Sequence, residues 1–218
     1  MPKRWTRGIA PMLALTLAAS ACGRGEGTEE GARMEVETPP ATERAETRRR
    51  PVHVDSVFPI EEEIRRFRAT LDEQPTRLRG GASSRDSLVA RFIRALERRD
   101  SVTLAEMHLS AAEFGYLYYP YTRYTREPYE LKPALLWFQI QNASSRGITR
   151  ALRDLGGRSL GYVDYRCEQE PEVLGEGRSW SGCRVRCQVG GNTVEVRLFG
   201  SIFEREGHYK FISYANDL

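Results

Sequence analysis

Lysine is nearly missing from this chain. Only Lys3, Lys132 and Lys210 carry it, so almost all of the 33 basic residues are arginine, set against 30 acidic ones for a formal net charge of +3. So small an excess does not build a phosphate-tracking surface, which excludes nucleic acid as a partner. Histidine is equally scarce: His53, His108 and His208 are all there is, and only His208 lies near the cysteines in sequence. The cysteine spacing fits no standard zinc pattern, so no metal site is expected. The longest apolar run, residues 9–21, is 13 residues long, short of the roughly 20 that cross a bilayer. No internal repeat, no glycine-rich phosphate loop and no Gly-x-Ser-x-Gly elbow is present, and nothing implies a cofactor.

What is present begins at the amino terminus. Lys3, Arg4 and Arg7 form a basic cap, the apolar run follows, and Ala19, Ser20 and Ala21 bring small residues up to Cys22. This is the pattern of a secretory signal ending at a cysteine, although an ordinary signal cut nearby uses the same parts. It resembles a bacterial lipoprotein signal peptide, with Ala19 standing where that family usually carries leucine. The resemblance implies removal of residues 1–21, a diacylglyceryl group on the Cys22 sulfur, and a membrane partner held through acyl chains. Gly23 is not the aspartate that retains such proteins on an inner membrane, so the implied location is the cell envelope, on the outer membrane facing the periplasm. Residues 22–52 are rich in Gly, Glu, Thr, Pro and Arg. They bury too little surface to offset the entropy of ordering and read as a disordered tether, about 30 residues spanning roughly 30 Å.

Residues 53–218, about 165 in all, are the size of one domain with a sizeable core. Ile60, Ile64, Phe67 and Leu71 recur at helical spacing after Pro59. Ser83 or Ser84 caps a second helix with the stripe Leu88, Val89, Phe92, Ile93 and Leu96. Asp100 caps a short third, Ser110 and Glu113 form a capping box for a fourth, Lys132-Pro133 opens a fifth, and Ile148, Leu152 and Leu155 mark a sixth. After Gly161 the period falls to two, predicting four strands at about residues 162–168, 181–189, 193–204 and 208–214. The whole reads as α+β, with N-terminal helices on one face of a curved antiparallel sheet of about four strands.

Two turns set the register. A turn at Gly191-Asn192 places Val189 opposite Val194, Cys187 opposite Val196 and Val185 opposite Leu198; one at Glu206-Gly207 places Ile202 opposite Phe211. Cys167 opposite Cys183 sets Tyr165 against Val185 and Val163 against Cys187 on the same buried face. Cys167–Cys183 is therefore the expected disulfide in an oxidising compartment, with Cys167–Cys187 the alternative. Cys183 and Cys187 on one strand are about 13 Å apart, too far to bridge.

The stripe at residues 88–96, the short capped helices after Asp100 and the closing strands resemble the cone-shaped nuclear-transport-factor-2-like superfamily, which includes ketosteroid isomerase and SnoaL-like cyclases. The resemblance covers about residues 85–218 and lies in the order of elements; the helices inserted between Tyr129 and Leu155 depart from it. It implies an interior pocket but carries over no catalytic residue.

Two surfaces are candidates for binding. Tyr116, Tyr118, Tyr119, Tyr121, Tyr124 and Tyr129, with Trp137, either present amphipathic contact area to a ligand or wall the core. On the outer sheet face the register places Asp164, Arg166, Arg184, Arg186, Arg197 and Lys210, interleaved with Phe199, Phe203, Ile212 and Tyr214. Arg186 faces Asp164 on one side and Arg197 on the other, a face suited to an anionic protein partner or a second copy in a homodimer. For isomerase chemistry Tyr165 and Tyr209 point inward, but no carboxylate base accompanies them; the three histidines fall in the linker, on a short surface helix and in a turn. The sequence thus favours a non-enzymatic, lipid-anchored domain that binds a protein partner or small apolar ligand, over a cone-fold enzyme or carrier with an interior pocket.

Overall fold

The computed structural model describes residues 58–168, 170–189 and 191–218. The expected signal peptide, Cys22, the tether and His53 lie outside them. Helix α1 (Ile60–Ala69) carries Glu61, Glu62 and Glu63 in its first turn and Arg66 and Arg68 in its last, matching the helix dipole at both ends. Helix α2 (Arg85–Arg98) is opened by Ser84, whose hydroxyl accepts from the Ser87 amide while Ser87 bonds back, and its whole apolar stripe is buried. Asp100 caps α3 (Ser101–Glu106) by accepting from the Thr103 amide at 3.0 Å. The Ser110–Glu113 capping box opens α4 (Ala111–Glu113), which runs on into wide and tight turns through Thr125.

The fifth and sixth expected helices are one: α5 (Pro133–Asp154), 22 residues. Serine and glycine at its centre are poor helix formers, yet tertiary contacts require them there. The Ser144 hydroxyl accepts from the Tyr214 amide at 3.1 Å, and Asn216 Nδ2 donates to the Gly147 carbonyl at 2.8 Å. A Cβ at Gly147 would lie 1.8 Å from the Tyr214 carbonyl oxygen.

Among the described residues seven strands follow: β1 (Tyr162–Arg166), β2 (Glu172–Leu174), β3 (Gly177–Trp180), β4 (Arg184–Val189), β5 (Asn192–Val196), β6 (Ile202–Arg205) and β7 (His208–Phe211). The class is α+β as expected, but the strands divide between two antiparallel sheets, ordered β1-β4-β5 and β2-β3-β6-β7, instead of one sheet of four. The short β2–β3 hairpin carries too little alternation to be read from sequence. The run expected at residues 193–204 breaks after Val196, and its second half joins the other sheet.

The β6–β7 register is the expected one, Ile202 opposite Phe211, with Glu206 and Gly207 at φ +53° and +75°. The β4–β5 register is shifted by two: Val189 pairs with Asn192, Cys187 with Val194 and Val185 with Val196. A shift of two keeps every side chain on its face and sets Arg186 opposite Glu195 instead of Arg197, replacing a like-charge pair by an opposite one. Across β1–β4, Tyr165 faces Val185 and Asp164 faces Arg186, and a disulfide joins Cys167 to Cys183. Val163, expected inside, is displaced by a bulge and exposed, so that Tyr162 meets Cys187.

The main core packs the α2 stripe on Val185, Leu198, Phe199, Ile202, Phe211 and Tyr214. The Phe92 ring lies 5.5, 5.2 and 5.5 Å from the rings of Phe199, Phe211 and Tyr214, filling the space under the helix. A second cluster holds Leu78, Leu109, Leu117, Leu174, Phe203 and Ile212, and a third Phe67, Phe114, Tyr119 and Leu136. This corrects the expected outer face: Phe199, Phe203, Lys210, Ile212 and Tyr214 are all buried. Phe199 and Tyr214 turn into the main core under α2, whereas segments around Leu78 and residues 109–117 cover Phe203 and Ile212, and Lys210 is paired beneath them with Glu113 at 2.7 Å.

Candidate functional site

A cavity of about 510 Å³ opens beside β4 and β5. Cys187 and Val189 come from β4, Val194 and Val196 from β5, and Leu198 from the segment after it; Leu155, Leu160 and Leu218 close the other side. Three bonds hold the loop after α5 in place and a fourth holds the carboxy-terminal segment. Gly157 N donates to Leu96 O at 3.4 Å, Leu160 N to the Glu97 carboxylate at 2.8 Å, Gln188 N to Gly161 O at 2.8 Å, and Asp217 N to Arg197 O at 3.2 Å. Together they lay three leucines over the valines without filling the space between. Arg158, Ser159 and Gln188 are the polar members of the lining. The volume is that of a small-molecule site. Val189 and Val194 remain exposed at its rim, 58% and 41%. Cys187 is the free cysteine among the described residues; burial, then the nearby Glu97 charge, push its thiol pKa up, which leaves it protonated and a weak nucleophile at neutral pH.

A second cavity, about 380 Å³, lies between α3 and α5 and is lined by Leu104, His108, Trp137, Gln141, Ser144 and Tyr214 among others. His108, expected on a surface helix, sits here beside the rings of Tyr214 and Trp137 at 5.4 and 6.1 Å. Its Nδ1 is 2.7 Å from the Leu109 carbonyl oxygen and its Nε2 2.9 Å from Ser144 Oγ. A carbonyl only accepts, so Nδ1 bears the hydrogen and Nε2 accepts from the Ser144 hydroxyl. Burial, the largest effect, holds the imidazole pKa below its ordinary value; the Leu109 bond opposes it, Lys210 adds to it and Glu113 opposes it. Ser144, 5% exposed, already accepts from the Tyr214 amide, so the pair fastens α5 to the last strand region more than it offers a nucleophile. No aspartate or glutamate lines either cavity, so neither supplies the carboxylate base of isomerase chemistry.

The sequence-predicted binding residues separate into different places. Tyr119 is fully buried and its hydroxyl donates to Leu131 O at 2.7 Å; Tyr118 is half-buried, its ring edge-on to Phe203 at 5.3 Å. Burial raises the pKa of both phenols. Tyr116 lies under the Arg68 guanidinium at 4.4 Å, and Trp137 stands 5.0 Å from Phe114 at the edge of the α3–α5 cavity. Of the set proposed for contact, Tyr121 and Tyr129 are exposed, Tyr121 covering Gly175 and Tyr129 lying beside the Arg123 guanidinium. Tyr118, Tyr119, Tyr124 and Trp137 wall the third core cluster and Tyr116 packs on the second, the structural alternative for them. Tyr165 is half-buried and donates to Asp86 at 2.9 Å. Arg186 is paired with Asp164 and Arg197 with Asp217, so both of these candidate cations already have a carboxylate partner.

Of the cavity residues, the sequence pattern marks Cys187, Val189, Val194, Val196 and Leu198 as one buried strand face and Leu155 as part of a helix stripe. Alternation correctly put Cys187, Val194, Val196 and Leu198 on one face; that the facing leucines stand off from them left no mark in the pattern.

Fold and cavity together define an α+β domain with a ligand-sized apolar recess at the edge of its three-stranded sheet. Comparison with protein-family models, curated proteins and solved structures found no match to the chain.

Proposed function

We propose that this chain is a lipid-anchored protein of the cell envelope whose folded domain holds a small apolar ligand in the β4–β5 cavity. The observation that carries the reading is the lining: eight of its eleven residues are Leu, Val or Cys, and two exposed valines form the rim. Burying apolar surface contributes about 25 cal/mol per Å², so an aliphatic or aromatic ligand gains most from the lining and a polar one gains little. The amino-terminal pattern supports the anchor, with Cys22 as the acylated residue and the outer membrane, periplasmic side, as the location. There the ligand site would stand within a tether's length of lipid. Replacing Cys22→Ser moves the protein from the membrane to the soluble fraction under this reading.

N-phenyl-1-naphthylamine, a neutral apolar fluorophore, tests the cavity. One molecule per chain binds saturably to the Cys22→Ser chain, and Val194→Trp, which plugs the rim without touching the main core, lowers the affinity at least tenfold. Absence of saturable binding, or binding that ignores the plug, overturns the proposal.

A further inference from the structure

The mouth of this cavity is not neutral. Arg158 lines it, its side chain exposed, and among the described residues it makes no ion pair. Asp154 feels the Arg158 charge but makes its ion pair with another arginine. Asp154 is held by both Arg153 Nε and Nη2, at 2.6 and 2.8 Å, and the Glu97 carboxylate accepts from the Leu160 amide at 2.8 Å. Ser159 and Gln188, beside Arg158 in the lining, add uncharged donors. An aliphatic interior with an unpaired guanidinium at its mouth is complementary to one kind of molecule. Resting on the apolar-ligand reading above, we infer that the ligand is an amphipathic acid: an aliphatic chain lying against Leu155, Leu160, Val194, Val196 and Leu198, ending in a carboxylate that accepts from Arg158. Arginine suits this role because its planar fork offers two parallel donors to a carboxylate and keeps its charge at any physiological pH. The arrangement also excludes an aliphatic amine, whose ammonium would meet Arg158 at the mouth with like charge.

The experiment measures displacement of N-phenyl-1-naphthylamine by decanoate, decanol and decylamine at pH 8, on the Cys22→Ser chain and on the same chain carrying Arg158→Gln. The inference predicts that Arg158→Gln lowers the ratio of decanoate to decanol affinity by roughly three- to tenfold and raises the ratio of decylamine to decanol affinity. Because Arg158 is exposed and outside the core, the variant folds as the parent does, which coincident thermal unfolding of the two chains verifies. If decanol displaces the probe but the ratio is the same in both chains, the acid inference is overturned and the apolar-cavity reading stands. If none of the three displaces it, the cavity reading itself fails.

Discussion

At the scale of the residue, the most consequential side chain is one of only three lysines. Lys210 projects from β7 into the second core cluster, where its ammonium donates to Glu113 at 2.7 Å and to the Arg79 carbonyl at 3.0 Å. Glu113 in turn accepts from the amides of Arg79 at 2.7 Å and Ser110 at 2.8 Å, so one carboxylate joins a loop, a helix cap and a strand. With side chains 5% and 3% exposed, neither charge reaches water. Removing one partner strands the other in a medium where an unpaired ion is costly, whereas removing both deletes the problem. Lys210→Met is expected to cost about 3–5 kcal/mol in urea unfolding, and the Glu113→Leu/Lys210→Met double variant distinctly less than the sum of the singles. Sequence alternation placed Lys210 on an outer, solvated face. It failed because alternation reports which residues share a face, not whether a helical segment lies over that face.

At the scale of the element, helix caps were legible and continuity was not. Ser84, Asp100 and Ser110 each start a helix where the sequence puts a start, because capping is a local exchange of hydrogen bonds within four residues. The unity of α5 depends instead on Tyr214 and Asn216, more than sixty residues away, which bond Ser144 and Gly147. Gly147→Ala decides between the two effects. Helix propensity favours alanine by about 1 kcal/mol. The new methyl would collide with the Tyr214 backbone, and such overpacking costs about 1–3 kcal/mol. Net loss of stability is the expected outcome in thermal unfolding, since a backbone carbonyl cannot swing aside as a side chain can. The β4–β5 hairpin shows a different limit. Gly190, Gly191 and Asn192 permit two turns, both consistent with apolar alternation, and only the charge opposite Arg186 distinguishes them.

At the scale of the whole molecule, folding stability should carry a pH signature from His108. The imidazole is held neutral by burial, below the value near 6.5 it has when solvated. Below that pH the unfolded chain takes up a proton that the folded chain refuses. The contribution is therefore complete above about pH 6.5 and declines as pH falls through the folded-state value. His108→Gln, compared with the parent by urea unfolding between pH 5 and pH 8, should show a flatter dependence over that window; parallel curves would remove His108 from the explanation. The same scale governs the candidate site. A cavity is a volume left between elements, and the apolar residues that make up most of its lining have the identity of core residues. Sequence could therefore give the α+β class and the buried face without giving the recess between that face and the loop after α5.

The most direct measurement is methyl-resolved NMR of the isotope-labelled chain titrated with N-phenyl-1-naphthylamine. Shifts are predicted at the methyls of Leu155, Leu160, Val194, Val196, Leu198 and Leu218, which surround the β4–β5 cavity, while those of Leu104, Ile148 and Leu152 in the α3–α5 cavity stay in place. Shifts at the second set and none at the first would contradict the account.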